Sequence, residues 1–172
     1  MVSRLEITLK KSLPDAEGAG IAGKARDYLG LDVESVRVIR VLTFDAGLDQ
    51  DQLEMARTQL FTNPVTEESS FAPMARDFDW LIWIGFHPGV RDTAGSTAAE
   101  AIEDLLKIRL RPNEAIYTSR LYAVTGRMSM ADARTLASEI LANDIIQQWK
   151  VFGPEEWEPD AEIGRASCRE RV

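Results

Sequence analysis

The sequence predicts an α+β fold of two tandem, duplicated β-α-β-α-β units. The units form a mostly antiparallel sheet with helices on one face, related by a pseudo-twofold axis. Turns before a small-residue helix recur at Asp15 and Asp92, 77 residues apart, and the segment around Asn63 recurs at Asn143, 80 residues apart. Strand-like and helix-like patterns also follow one another in the same order in both halves. Two copies are too few for a solenoid, which favours a pseudo-symmetric pair.

The first unit opens with a strand and a helix. Residues 4–10 alternate apolar and polar side chains, which predicts a half-buried strand with one face in water. Asp15 is placed to cap a helix that runs to Leu29, where Gly30 ends it. Residues 33–44 are rich in Val and Ile, which predicts a long strand.

The unit closes with a second helix and a short strand. Asp49, followed three residues later by Gln52, resembles a capping box and predicts a helix that reaches Phe61. Pro64 breaks this helix, because proline disfavours helical backbone in the residue before it. Residues 65–71 are then expected to form a short edge strand.

The second unit begins with a strand that is apolar on both faces, residues 79–86. Ile82 and Ile84 point to one side, and Leu81 and Trp83 to the other. Burying one tryptophan covers about 150–250 Å². We therefore expect packed structure on both sides of this strand.

The remaining elements repeat the first unit. Asp92 is expected to cap a helix with one apolar stripe, and residues 115–124 to form a strand. Ser129 with Asp132 is a second capping signal and predicts the last helix. Residues 145–152 are expected to form the last strand.

Composition limits the classes of function. The 172 residues are 45% hydrophobic, which suits one medium domain or two small ones sharing a core. The net charge is −8 and no long basic run is present, so nucleic acid is not an expected partner. No stretch approaches 18 apolar residues and no secretion signal opens the chain. We therefore predict a cytoplasmic protein with no membrane partner.

Domain boundaries follow from the repeat. We assign residues 1–72 to the first unit, 73–153 to the second, and 154–161 to the start of a linker leading to missing downstream domains. Residues 162–172 resemble a translated sequencing-adapter read and are predicted to be non-native. The single cysteine, Cys168, lies in this tail.

Three features resemble functional motifs. Residues 18–23 match G-x-G-x-x-G, but the tight strand-to-helix turn of a dinucleotide site is missing, which favours small-residue helix packing. His87 is the only histidine, and without a catalytic constellation it is expected to occupy a turn. Asp15 and Asp92 could serve as metal or catalytic carboxylates, and helix capping is the favoured interpretation. No residue is assigned as catalytic, cofactor-binding or metal-binding.

Four separated segments together resemble a known family. Residues 85–98, with residues 63–67, 117–120 and 141–147 in the same order, are similar to the N-terminal region of phosphoribosylformylglycinamidine synthase. The resemblance covers residues 4–156. In fused forms of this enzyme a duplicated small-subunit-like region lies at the N-terminus, which the internal repeat fits.

The resemblance implies a role for the chain. The family makes formylglycinamidine ribonucleotide from formylglycinamide ribonucleotide, glutamine and ATP, in purine biosynthesis. ATP and Mg²⁺ are implied for the parent ligase and belong to its later domains, so no cofactor is expected in this segment. It would be a non-catalytic assembly and coupling piece whose partners are the downstream synthetase domain and the glutaminase.

The second copy is expected to carry the docking contacts, through Trp83, Phe86, His87, Arg91 and Asp92. Whether the fragment is itself an enzyme is left open, because no active site is recognised in it. The alternative function is a stand-alone regulatory module that binds an amino acid at a pseudo-symmetric interface.

Overall fold

One antiparallel sheet of six strands carries helices on one face. The computed structural model describes residues 2–158. The strand order is β3-β1-β2-β5-β4-β6. The first half contains β1 (Val2–Leu9), α1 (Ala16–Leu29), β2 (Val33–Asp45), α2 (Gln50–Ala56) and β3 (Glu67–Ser70). The second half contains β4 (Trp80–Phe86), α3 (Thr93–Leu106), β5 (Ala115–Gly126), α4 (Met130–Leu136) and β6 (Gln147–Phe152). The predicted α+β fold class is confirmed. The predicted tail and Cys168 lie outside the described residues.

The strand register confirms the pseudo-twofold axis. The two central strands, β2 and β5, are antiparallel, and Arg40 lies directly opposite Arg120. In the first half Ile7 lies opposite Arg40, and in the second half Ile84 lies opposite Arg120. The shift from Ile7 to Ile84 is 77 positions and that from Arg40 to Arg120 is 80, the same two offsets found in the sequence. The axis therefore passes between the two arginines.

Local capping signals place the helix ends. The Asp15 carboxylate accepts a hydrogen bond from the backbone N–H of Gly18 at 2.8 Å, and Gly30 ends α1 in the left-handed conformation with φ 62°. Complete capping boxes open α2 at Asp49 and α4 at Ser129. These predicted helix starts are confirmed. They could be predicted because each cap depends on residues only a few positions apart.

Both short helices continue as π-helices, which the sequence did not predict. Helix α2 passes into a π-helix over Arg57–Phe61, and α4 into one over Ala137–Leu141. The two segments are equivalent under the 80-residue offset. Their sequences, RTQLF and ASEIL, share no motif from which the change of helical pitch could have been predicted.

Two hydrophobic cores lie under the helices, and each mixes residues of both halves. Helix α1 covers β2, β4 and β5 and touches the π-helix after α4, whereas α3 covers β1, β2 and β5 and touches α2. The first core includes Ala22, Val36, Val38, Ile82, Tyr122 and Leu136. The second includes Leu5, Phe44, Ala56, Ala98, Ile102 and Ile116. Neither half therefore encloses a core of its own.

The opposite face of the sheet is also covered. The expectation that β1 has one face in water is wrong, because Glu6 is only 1% exposed and its carboxylate accepts the backbone N–H of Met74 at 2.6 Å. The connection between the halves lies over this face, and Trp157 stacks on the Arg4 guanidinium with 5.2 Å between charge and ring centre. Alternation in β1 predicts that Glu6 faces solvent. Its partner, the backbone N–H of Met74, is 68 residues away and leaves no pattern in the sequence.

Apolar cover on both sides of β4 is confirmed. Ile82 and Ile84 pack under the helices, and Leu81 and Trp83 pack on the other face. That second cluster is closed by the connection and by the chain after β6, through Ala75, Phe78, Phe152 and Trp157.

Two carboxylates, Glu114 in the loop before β5 and Glu103 near the end of α3, couple the stability of the fold to pH. Backbone N–H groups of Arg111 and Gly47 hold the pKa of Glu114 below its ordinary value of 4.5. The backbone N–H of Leu110, and then Arg109, lower the pKa of Glu103 in the same way. A depressed carboxyl pKa contributes stability that is present above the unfolded value and is lost as the pH falls through the folded value.

Glu114→Gln is therefore expected to weaken the acid sensitivity of the fold. The free energy of unfolding of the parent chain should be flat above about pH 5 and fall below pH 4.5, and the variant should fall less steeply. Urea denaturation at pH 7, 5 and 4 measures this, with the exposed Glu100→Gln as a control. Parallel pH profiles for the parent chain and Glu114→Gln would contradict the assignment.

Candidate functional site

A cavity of about 710 Å³ lies on the helix face at the centre of the sheet. Its floor is formed by the paired central strands, and its walls by the start of α3 and the ends of the two π-helices. The lining includes Ile7, Arg40, Leu42, Phe61, Ile84, Phe86, Ala94, Thr97, Thr118, Arg120, Tyr122, Leu141 and Gln147. A mixed wall of this kind, mostly apolar with a few polar groups, is typical of small-molecule sites.

Two arginines stand side by side in this cavity. Arg40 and Arg120 are register partners, and their side chains are 50% and 47% exposed. Like charges directly opposite on neighbouring strands destabilise a sheet. Glu67 accepts a hydrogen bond from Arg40 at 2.7 Å, and Glu17 pairs with Arg120. This pair was not predicted from the sequence, although the 80-residue offset carries Arg40 onto Arg120.

The two units differ in the charges that they bring to the cavity. The position equivalent to Glu17 is Ala94, and the position equivalent to Glu67 is Gln147. Both carboxylates therefore come from the first unit, and the wall provided by the second unit is uncharged. Helix α3 has no acidic residue in its first turn, whereas α1 has Glu17 there.

Burial and charge act together on the groups of the cavity floor. Burial raises the pKa of the Tyr122 phenol, more than the neighbouring Arg120 lowers it. Burial also lowers the pKa of the Arg120 guanidinium, but Tyr122 and Glu17 outweigh this effect and raise it. At neutral pH the floor therefore presents a neutral phenol beside a fixed positive charge.

The two repeated aspartates cap helices, as expected. Asp15 accepts the N–H of Gly18 and also that of Val38 at 2.9 Å. Asp92 accepts the N–H of Gly95 at 2.8 Å and that of Thr118 at 2.6 Å. Each carboxylate thus joins a helix start to a central strand, and Asp92 also accepts a hydrogen bond from the Thr118 hydroxyl at 2.9 Å.

Within the glycine motif, the favoured packing role is confirmed for Gly18 alone. A Cβ at Gly18 would lie 1.9 Å from the carbonyl oxygen of Val36, so only glycine allows α1 to approach β2 this closely. Gly20 and Gly23 have open space around them. Gly95 repeats the close contact in α3, where a Cβ would lie 2.3 Å from the carbonyl oxygen of Ile116.

The five predicted docking residues do not form one surface. Trp83 is 3% exposed on the face away from the helices, and Asp92 is buried. Phe86 lines the central cavity, and Arg91 is exposed. His87 occupies a turn, as favoured, where its Nε2 lies 3.0 Å from the carbonyl oxygen of Asp144. A docking role for the set stays a prediction, and the two buried members could contribute to it only by shaping the sheet.

Two exposed apolar loop tips stand at equivalent positions. Val65 is 77% exposed and Ile145 is 86% exposed, and they are 80 residues apart. Asn63 and Asn143 fix the loops, since each side-chain oxygen accepts the N–H two residues later, at 3.0 and 3.1 Å. These hydrogen bonds hold each apolar side chain in a position exposed to water, where it contributes no burial to the stability of the fold.

Over residues 2–158, no group of three or more His, Cys, Asp and Glu side chains is arranged to hold a metal ion. No helix in this part of the chain combines the length and apolarity that crossing a membrane requires. No curated protein matches the chain. Residues 2–74, which comprise the whole first β-α-β-α-β unit, match the model of the family described as PurS: Phosphoribosylformylglycinamidine (FGAM) synthase, and this match relates that part of the chain to FGAM synthase and to purine biosynthesis.

Proposed function

We propose that this chain is the N-terminal assembly and coupling segment of an FGAM synthase. The parent ligase would convert formylglycinamide ribonucleotide, glutamine and ATP to formylglycinamidine ribonucleotide. The observation that carries the proposal is the family match over residues 2–74. The second unit has the same architecture as the matched unit, with the equivalent strand register. In this role the segment performs no chemical step and holds catalytic parts together.

In the proposed arrangement, one chain takes the place of a dimer of small subunits. The β2–β5 pairing supports this, because the two strands cross the axis as two copies of one strand would, with Arg40 opposite Arg120. Residues 1–72 and 73–153 would be the two subunit equivalents, and residues 154–161 would lead to the downstream synthetase domain. ATP and Mg²⁺ would be bound there, in the cytoplasm, and not in this segment.

The paired loop tips are the proposed contact points for the synthetase and glutaminase parts. The first tip presents Val65, and the second presents Ile145 with its neighbour Ile146, which is 39% exposed. An asparagine side chain fixes each loop. A partner that covers such a tip gains the burial of a Val or Ile side chain, about 1.5–3 kcal/mol for full burial. Rigid loops lose little entropy on binding, which favours docking.

Ile145→Ser in the complete enzyme is expected to lower glutamine-dependent FGAM formation about tenfold, given a loss of about 1.4 kcal/mol in docking. FGAM formation from free ammonia should stay within about twofold, because ammonia bypasses the coupling of the two parts. Steady-state rates with each nitrogen donor, and association of the parts by ultracentrifugation, measure this effect. Val65→Ser tests the equivalent tip.

Tyr28→Ser is the matched control. Tyr28 is 81% exposed at the end of α1, but it lies on no repeated loop. It should leave both rates unchanged. Equal loss of ammonia-dependent and glutamine-dependent rates, or unchanged association in both tip variants, would contradict docking through the tips. Trp83→Ala would be a less specific test, because Trp83 is buried and its loss would disturb the sheet itself.

A further inference from the structure

The central cavity combines two features that fold stability alone does not favour. Two arginines lie opposite one another on the most central strand pair, where side-chain positions are about 4.5–5.5 Å apart. Both line one open cavity of about 710 Å³ whose other walls are largely apolar. Like charges held together in one cavity weaken the sheet. Glu67 and Glu17 each offset one of the two charges, and an anion placed between the arginines would compensate both at once.

We propose that this cavity binds a small phosphate monoester, with the phosphate between Arg40 and Arg120 and an apolar body against the surrounding wall. The site is independent of the proposed assembly function. Each guanidinium has five N–H donors in a planar fork. Among the described hydrogen bonds Arg40 uses one donor on Glu67, and Arg120 uses one on Glu17 and another on the Tyr122 hydroxyl. The remaining donors suit a doubly charged tetrahedral oxyanion better than a carboxylate, which one fork already satisfies.

Polar groups next to the arginines extend the phosphate position. Tyr122 and Gln147 line the cavity with the arginines, whereas the hydroxyl of the neighbouring Thr118 donates to Asp92 at 2.9 Å. Ala94 and Thr97, in the first two turns of α3, form part of the same wall. The apolar body of the ligand would lie against Phe61, Phe86 and Leu141.

The two carboxylates on the arginines play different parts. Glu67 also accepts the backbone N–H of Asn63 at 2.9 Å and stays in place as a loop anchor. Glu17 is 52% exposed, and its described side-chain partner is Arg120. Glu17 is therefore the group that a phosphate displaces, and it competes with the ligand for Arg120. Removing its charge should tighten binding.

The test is to titrate the full chain with each probe at constant ionic strength and to follow binding by calorimetry and thermal melting. Probes are phenyl phosphate, inorganic phosphate and benzoate. Phenyl phosphate should bind saturably and raise the melting temperature, with inorganic phosphate at least tenfold weaker and benzoate weaker still. Benzoate binding as tightly as phenyl phosphate would overturn the phosphate assignment. No saturable binding of any probe would overturn the site.

Variants separate this site from general charge effects. The double variant Arg40→Met, Arg120→Met should lose phenyl phosphate affinity at least tenfold, and Glu17→Gln should gain about threefold or more. Arg109→Met, which removes another carboxylate-paired arginine away from the cavity, and Glu100→Gln are the controls and should change affinity less than twofold. A gain in melting temperature of the ligand-free double variant is expected as well. Lower affinity in Glu17→Gln, or equal loss in Arg109→Met, would overturn the proposal.

Discussion

Gly18→Ala is expected to destabilise the fold by about 3 kcal/mol, whereas Gly20→Ala, two residues further along α1, is expected to stabilise it by roughly 0.5–1 kcal/mol. The two substitutions add the same methyl group to the same helix. They differ in what the methyl group meets, which is strand backbone at Gly18 and open space at Gly20.

The cost at Gly18 follows from what cannot move. The added Cβ would lie 1.9 Å from the carbonyl oxygen of Val36 and 3.1 Å from the Asp15 carboxyl carbon. Relief requires α1 to lift from β2, which stretches the bonds from Asp15 to the N–H groups of Gly18 and Val38. A buried N–H left without its acceptor adds about 1–3 kcal/mol to the steric cost.

Urea denaturation followed by far-ultraviolet circular dichroism measures both variants. Gly95→Ala provides an independent copy of the experiment, because its Cβ would lie 2.3 Å from the carbonyl oxygen of Ile116 in the second unit. We expect it to resemble Gly18→Ala. Equal midpoints for Gly18→Ala and Gly20→Ala would show that the close approach of helix and strand is not what requires glycine.

Features that depend on residues only a few positions apart were predictable from the sequence. Asp15, Asp49 and Ser129 each cap a helix through an N–H three residues away, and such short-range pairs can be predicted directly from the sequence. The Val and Ile content that predicts β2 and the apolar run that predicts β4 are equally local signals. Offsets of 77 and 80 residues then sufficed to predict the pseudo-twofold axis.

Features that depend on distant partners were not predictable in the same way. Glu6 looked solvent-exposed because its partner, the N–H of Met74, lies 68 residues away. Trp83 looked like a docking residue because the chain around Phe78 and Trp157 that covers it carries no pattern of its own. The central cavity arises only when Arg40 and Arg120 meet across the axis, so neither unit contains it alone.

The two halves, produced as separate chains of residues 2–74 and 75–158, are expected not to fold as monomers. The β2–β5 ladder joins twelve residue pairs across the axis, from Val33–Gly126 to Asp45–Ala115. Both cores also draw on both halves, so each piece alone would expose the apolar faces of its central strand and main helix. An isolated piece of this size has too little buried surface to offset the entropy of ordering it.

Mixing the two pieces should restore the fold, with a melting temperature that rises with concentration because association supplies the core. Residues 2–74 alone should form a weaker self-dimer through β2. Because Arg40 lies beside the twofold axis, two copies of β2 paired in the same register would place Arg40 opposite Arg40. Sedimentation equilibrium and circular dichroism of each piece and of the mixture measure these outcomes. A cooperative unfolding transition in a monomeric half would show that the unit is self-sufficient, and the shared cores would then be a consequence of joining the two halves rather than the reason that they stay together.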